Sequence, residues 1–391
     1  MSLAGKLDRL RGQAAERPVS VADRLQRTVR SPRRASQQDG KHQESLATAL
    51  NADIERDGVV IHSAVRQLTR ANDLPLTALP EVGHLCEPNW VYIDTETTGL
   101  SGGVGNLAFM VGVARYRDDG DLELRQFTLA NMAGEGHLLQ ALIEWVGQDA
   151  VLVSYNGKCF DLPLLAARLR LHRLHDMLSD RPHLDLMYTV RRAYRRHWPD
   201  CRLQTAERTL LDHHRVDDLP GAEAPAAWRV WLTHRQSRRL AGTLAHNFQD
   251  VLSLALLHQR VLADYNGSDR SGVDYATIGR SWDEAGYPQH ALSVWETAQQ
   301  RMDEPGLLML ARQYRRQARW RDAVVVWSEL SAQGSAEAAL ELSKYYEHRR
   351  RDYREAMSYA ERCESDERQV RCARLKAKLE PARHQLSLLS V

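Results

Sequence analysis

The segment VYIDTETTGL carries the side chains best placed to do chemistry in this 391-residue chain. On an extended strand Asp94 and Glu96 stand at i and i+2, so both carboxylates leave the same face, about 7 Å apart at 3.3 Å per residue. Two acids so placed can share a hard cation such as Mg2+ or Mn2+, which prefers oxygen ligands. The spacing alone says little, because 51 acids among 391 residues give about seven acid-x-acid pairs by chance. Location singles this pair out. It ends the apolar run WVYID, which should be buried, where unpaired carboxylates cost several kcal/mol unless a metal or hydrogen bonds compensate.

Two other acids stand beside informative neighbours. Asp161 closes Asn156-Gly157-Lys158-Cys159-Phe160 and opens the helical pattern LPLLAARLRL, where Asp is equally a favoured N-cap. Asp250 lies four residues after His246 on the helical run HNFQDVLSLALLHQR, which puts both side chains on one face.

These segments resemble the motifs of the DEDD superfamily of 3'-5' exonucleases, which have a ribonuclease-H-like fold. DTETTGL is similar to the first motif. Asn156 to Asp161 is similar to the second with one extra residue, and His246 with Asp250 to the third, with His at the spacing that one subclass gives to Tyr. The resemblance implies that Asp94, Glu96, Asp161 and Asp250 bind two Mg2+ or Mn2+ ions. Such ions, about 3.5 to 4 Å apart, clamp the attacking and leaving oxygens of an in-line displacement at phosphorus. His246 would take the proton of the attacking water, imidazole ordinarily titrating near neutrality; the other reading is a surface histidine beside an acid. The resemblance also implies substrate contacts from Thr95, Thr97, Leu100 and Asn156. The glycines after DTETTGL, the segment HLDLMYTVRRAY and the stretch RVDDLPGAEAPAAWRVWL are further similar to the YprB-like branch of ribonuclease-H-like proteins, in which a tetratricopeptide-like region can follow.

Arg191, Arg192, Arg195, Arg196 and Arg202, interleaved with Tyr194, His197 and Trp198, form the densest basic and aromatic cluster. It suits a phosphate backbone with stacked bases and is equally the composition of an exposed helix face. Arg191 and Arg195 are the expected substrate contacts there. Asp185, Asp217 and Asp218 read as structural or turn residues.

The elements that must position these residues follow from periodicity. WVYID, FMVGVARY and LELRQFTLA read as strands, HLLQALIEWVG as a helix, AVLVSYN as a strand and DLPLLAARLRLHRL as a helix. That order predicts an α/β domain, a mixed sheet flanked by helices, over residues 85–265. Residues 1–55 read as a flexible basic arm, 56–84 as a lead-in segment packing on the next domain, and 381–391 as a tail. From 270 to 380 the pattern is all helical. There Ala291, Ala323 and Ala356 recur at 32 and 33 residues, each followed four positions later by Trp295, Trp327 or Ala360. That period predicts tetratricopeptide-like repeats, in which a small residue admits the neighbouring helix and an aromatic fills the gap beside it.

Composition bounds the rest. A net charge of +2, from 53 Lys and Arg against 51 Asp and Glu, announces no global field for a polyanion or a membrane, so any basic surface is local. Five scattered cysteines without a C-x-x-C pair argue against a disulfide framework or a zinc site and for a reducing cytoplasm. Neither a secretory signal nor a membrane span is expected. The reading is a metal-dependent 3'-5' exonuclease acting on single-stranded DNA or RNA ends. Two alternatives share its residues: a catalytically weak binding module whose repeats recruit a protein partner, and a structure-selective endonuclease.

Overall fold

A computed structural model describes residues 32–68, 74–86, 88–99, 105–216, 218–268 and 270–379. Seven strands form one mixed sheet in the order β1-β2-β5-β4-β3-β6-β7. They are β1 (Asp53–Arg56), β2 (Val59–Arg66), β3 (Asn89–Thr97), β4 (Ala108–Tyr116), β5 (Leu122–Leu129), β6 (Ala150–Ser154) and β7 (His183–Asp185). Pairing is antiparallel from β1 to β3 and parallel from β3 through β6 to β7. Central β4 and β6 are apolar without alternation because helices cover both faces.

The strand-strand-strand-helix-strand-helix order read from residues 90 to 174 is realised as β3, β4, β5, α2 (Glu135–Val146), β6 and α3 (Asp161–Leu171). One expectation needs correction. Part of the supposed flexible arm is helix α1 (Pro32–Leu50), which buries Leu46 and Leu50 in the core shared with Val59 and Ile61. Its Gln43 bonds Arg56 O, Val59 O and Gly58 N, satisfying the β1–β2 turn. In the lead-in segment, β2 pairs with β5 along its whole length and so belongs to the sheet. The arm reads as flexible because its apolar residues are few, and only packing on distant partners makes them core. The rest of the arm and the tail fall outside the described residues.

One face of the sheet packs Val91, Ile93 and Phe109 against α1, α2, α3 and α6 (Ala224–His234). The other carries Trp90 and Tyr92 under α7 (Arg238–Tyr265), whose 28 residues span about 42 Å at 1.5 Å per residue. On this same face α4 (Leu186–Tyr194) and α5 (Leu203–Leu210) pack beside α7. The far end of α7 leads into an all-helical region: α8 (Tyr275–Glu284), α9 (Pro288–Ala298), α10 (Glu304–Arg316), α11 (Trp320–Ala332), α12 (Ala336–Tyr345), α13 (Tyr353–Ala360) and α14 (Ser365–Leu379).

Ala291, Ala323 and Ala356 are all fully buried, on α9, α11 and α13. Their partners form a second series that the sequence reading did not identify: Gly279, Ala311 and Ser343, buried on α8, α10 and α12 at intervals of 32. A Cβ on Gly279 would collide with the indole of Trp295, whose Nε1 donates to Ala276 O at 3.3 Å. The one-residue lengthening from 32 to 33 falls where a π-turn, Tyr346–Arg350, follows α12. Among the described residues no helix is long and apolar enough to cross a membrane.

Candidate active site

The site forms at the carboxyl ends of the parallel strands β3 and β6, where open α/β sheets gather ligands. Asp94 and Glu96 pair with Gly112 and Met110 of β4 and share the face of Trp90 and Tyr92, toward α7. Glu96 is 7% exposed. Thr95 points to the opposite face, and its hydroxyl bonds the Asp161 carboxylate. Asp161 is the first residue of α3 rather than its cap, which is Phe160 without a side-chain bond.

The loop before Asp161 is held tightly. Asn156 adopts φ 68°, a left-handed conformation that Asn tolerates better than most residues. Buried Asp185 accepts from Asn156 N at 2.7 Å and Lys158 N at 3.1 Å and also caps α4 through Met187 N. A Cβ on Gly157 would clash with Ser154 and stand 3.1 Å from Asp161 Oδ2, so this turn needs glycine.

From α7 come Asn247 and Asp250. Asn247 Nδ2 donates to Asp94 Oδ2 at 2.8 Å, while its Oδ1 accepts from buried Gln126 of β5 at 2.8 Å. This bridge requires α7 to lie close on β4, which Gly112 permits: a Cβ there would strike Asn247 Oδ1 and approach Val251 Cγ2 to 2.7 Å. His246 presents Nδ1 to both oxygens of Asp218 at 2.8 Å and Nε2 to Asp250 Oδ2 at 3.5 Å. Nδ1 also lies 3.1 Å from Arg215 Nη1, so it meets both an acceptor and a donor, and the ring is held in place by three charged neighbours.

Asp94 and Glu96 each feel the charges of Asp161 and Asp250. Burial, then the charges of Asp250, Asp161 and Glu96, push Asp94 well above the ordinary carboxylate range, against the bond from Asn247. Burial and the charges of Asp250, Asp161 and Asp218 push Glu96 up to about 8. Burial raises Asp161 to about 6 despite the Thr95 bond. Asp250 is raised by burial, with His246 and Arg215 opposing. For Asp218 burial is outweighed by bonds from His246 and Arg215, which hold it below its ordinary value. Buried like charges of this kind cluster at functional sites.

Four carboxylates supply the hard oxygen donors that Mg2+ or Mn2+ take, so the donor chemistry fits divalent ions. Among the described residues no group of three or more His, Cys, Asp or Glu stands in a coordinating arrangement, and Asp250 is held by Arg215 and His246.

Of the expected substrate contacts, Asn156, Arg191 and Arg195 line one cleft of about 610 Å³ together with Tyr155, Trp198 and Arg202. Thr97 donates to Gly99 O at 2.9 Å, closing the end of β3. Leu100 and Asp217 lie outside the described residues. The basic cluster divides: Arg192 pairs with Glu81, and Arg196 with Asp303 at 2.8 Å, so both are structural ties. Sequence reasoning missed Asn247, Glu207 and Arg215, and read Asp218 as a structural or turn residue. Asn247 could have been flagged as the polar neighbour of His246 on a helix face that must be buried. Arg215, in the run HHRVDD, has the composition of any exposed loop.

Comparison with known proteins bears on the fold of the sheet domain. Residues 91–262 match the family model RNase_H_2 of the RNase_H superfamily, so the sheet domain is ribonuclease-H-like. Proteins of that superfamily are usually nucleases and generally use divalent metal ions. The chain is 31% identical over 313 residues to the "Uncharacterized protein YprB" of Bacillus subtilis (strain 168), covering 74% of this chain and 75% of that one, and it belongs to the same family. Among solved structures, the family B DNA polymerase of the hyperthermophilic archaeon Pyrobaculum calidifontis aligns at a TM-score of 0.37 and 15% identity, over 59% of this chain and 29% of the polymerase.

Proposed function

We propose that the protein is a metal-dependent 3'-5' exonuclease that hydrolyses phosphodiester bonds at single-stranded DNA or RNA 3' ends. The observation that carries this reading is the convergence of Asp94, Glu96, Asp161 and Asp250 in a buried site where their charges oppose one another. Those four residues would hold two Mg2+ or Mn2+ ions, which, when bound, polarise the phosphoryl group and ease deprotonation of water. Asn247 and Thr95 orient Asp94 and Asp161. His246, held in place by Asp218, accepts the proton of the attacking water at Nε2. Arg191 and Arg195 contact the strand's phosphates from the neighbouring cleft.

The helical region reads as tetratricopeptide-like repeats that dock a protein partner. The paired series of small residues on alternate helices supports this. A purely binding role for the sheet domain draws on Arg215, which already neutralises Asp250.

The test uses 3'- and 5'-labelled single-stranded DNA and RNA with Mn2+, Mg2+ or EDTA, comparing the wild type with Asp94→Asn and Asp250→Asn. Metal-dependent loss of 3' nucleotides that vanishes in both variants supports the exonuclease. Cutting of circular strands favours an endonuclease instead, and no cleavage under any metal, with oligonucleotide binding unchanged, sinks the enzyme reading.

A further inference from the structure

Arg215 is the charged group of this site that the proposed chemistry does not use. It lies between α5 and α6, its side chain only 9% exposed. Nε and Nη2 grip Glu207 in a two-pronged pair at 2.7 and 2.6 Å. Glu207 is completely buried and also accepts from Ser253 of α7, so the anchor is fixed by two helices. Nη1 donates to Asp218 at 3.1 Å, and Nη2 additionally bonds Asp250 Oδ1. The other oxygen of Asp250 faces His246 Nε2. Both oxygens of this carboxylate therefore meet protein nitrogens.

We propose that Arg215 is a built-in competitor for Asp250, occupying the oxygen that a divalent ion would take. The inference rests on Asp250 being a metal ligand. The geometry makes the exchange a small one. Nη2 carries two hydrogens, one for Glu207 and one for Asp250, so entry of an ion breaks a single contact and leaves the Glu207 fork in place. In the metal-free protein the guanidinium offsets a buried negative charge that would otherwise stand exposed to Asp94 and Glu96. Once released, the same N–H is a donor at the edge of the site, beside the cleft formed by Arg208, His213 and His214. The consequence is unequal filling. An ion held by Asp94, Glu96 and Asp161 would meet only the neutral donors Asn247 and Thr95, whereas one that needs Asp250 must displace a charge-assisted bond.

Mn2+ binding to the full chain, followed by the electron paramagnetic signal of the free ion, tests this without relying on turnover. The wild type should show a tight and a weak site. In the double variant Arg215→Gln with Glu207→Gln, an amide pair replaces the ion pair, so Glu207 is not left as an unpaired buried charge while Asp250 loses its cation. Its weak site should tighten by about tenfold or more, the scale of losing one charge-assisted hydrogen bond. Arg215→Lys keeps the charge, but a single ammonium cannot reproduce the fork, so it should tighten the weak site by a few-fold and serves if the double variant does not fold. A purely structural arginine predicts the opposite, since loosening the site would weaken binding. Unchanged or weaker Mn2+ binding in these variants overturns the competition. Asp250→Asn should abolish the weak site; if Mn2+ binding there is unaffected, the ligand reading of Asp250 falls and the proposal with it.

Discussion

Glu96 and Glu347 are both buried glutamates, one in the sheet domain and one in the helical region, and their surroundings are opposite. Glu96 is ringed by Asp250, Asp161 and Asp218, and burial with those charges drives it up to about 8. Glu347, 2% exposed, is ringed by Arg371 at 2.9 Å, Arg374 at 2.7 Å and Lys378 at 2.8 Å, and the bonds from Arg374 and Lys378 outweigh its burial and hold it below its ordinary value. A chain built only for stability would arrange both like Glu347. The first region instead keeps carboxylates together at a cost, which is the arrangement a cation-dependent reaction needs.

The sharpest way to separate the two is to neutralise each. Asp94→Asn or Glu96→Gln should lower nuclease turnover by about a thousandfold or more, while the melting temperature of the metal-free protein holds or rises because a repelling charge is gone. Glu347→Gln should leave cleavage intact and lower stability by about 1–3 kcal/mol, discounted because Arg374 and Lys378 are partly exposed. Cleavage assays and thermal melts on the same preparations check both. If Glu347→Gln abolished cleavage, the contrast would be lost.

Gly112→Ala attacks the scaffold of the first region. Its methyl group would push α7 off β4 and break the Gln126–Asn247–Asp94 bridge, destabilising the protein by about 1–3 kcal/mol. Weakened Mn2+ binding at unchanged secondary structure by circular dichroism is the expected signature. The equivalent packing point in the helical region, Gly279 under Trp295, should cost stability alone when changed to Ala.

Protons should act on the two glutamates in opposite senses. Glu96 has a raised affinity, so between its ordinary value of 4.5 and about 8 the folded state binds more protons than the unfolded, and stability falls as pH rises through that window. Glu347 contributes stability that is present above its unfolded value and lost as pH falls. Melts in EDTA should therefore show a decline from about pH 5 to 8 that Mn2+ flattens and Glu96→Gln reduces. A decline identical in Glu96→Gln would assign it elsewhere.

The smallest effect is expected at the cleft. Arg191→Gln and Arg195→Gln should each weaken single-strand binding a few-fold and reduce its salt dependence by about one ion, measured by fluorescence anisotropy with Ca2+ in place of the active metal.

Much of this was legible from local pattern. The apolar run ending in Asp94 and Glu96 identified β3, the period of two put both acids on one face, and the order of strands and helices from 90 to 174 followed from runs of a few residues. The recurrence of Ala291, Ala323 and Ala356 located the paired helices because repetition survives without any tertiary information. Placing Asp161 and Asp250 beside that pair took a family resemblance, since each alone is an ordinary helix acid.

What only the tertiary structure decided is which charges meet. Arg215 lies 35 residues from Asp250, and Arg371 and Lys378 lie 24 and 31 residues from Glu347. Their local sequences, rich in Arg and acids, read as solvated surface in both places. Leu46 and Leu50 likewise became core only when β2 joined β5. Backbone periodicity is a property of neighbours along the chain and can be read there. Burial of a charge, and the sign of what surrounds it, depends on segments that meet only after the sheet has formed, so the same residue types yield a strained acid site in one half and a neutralised anchor in the other.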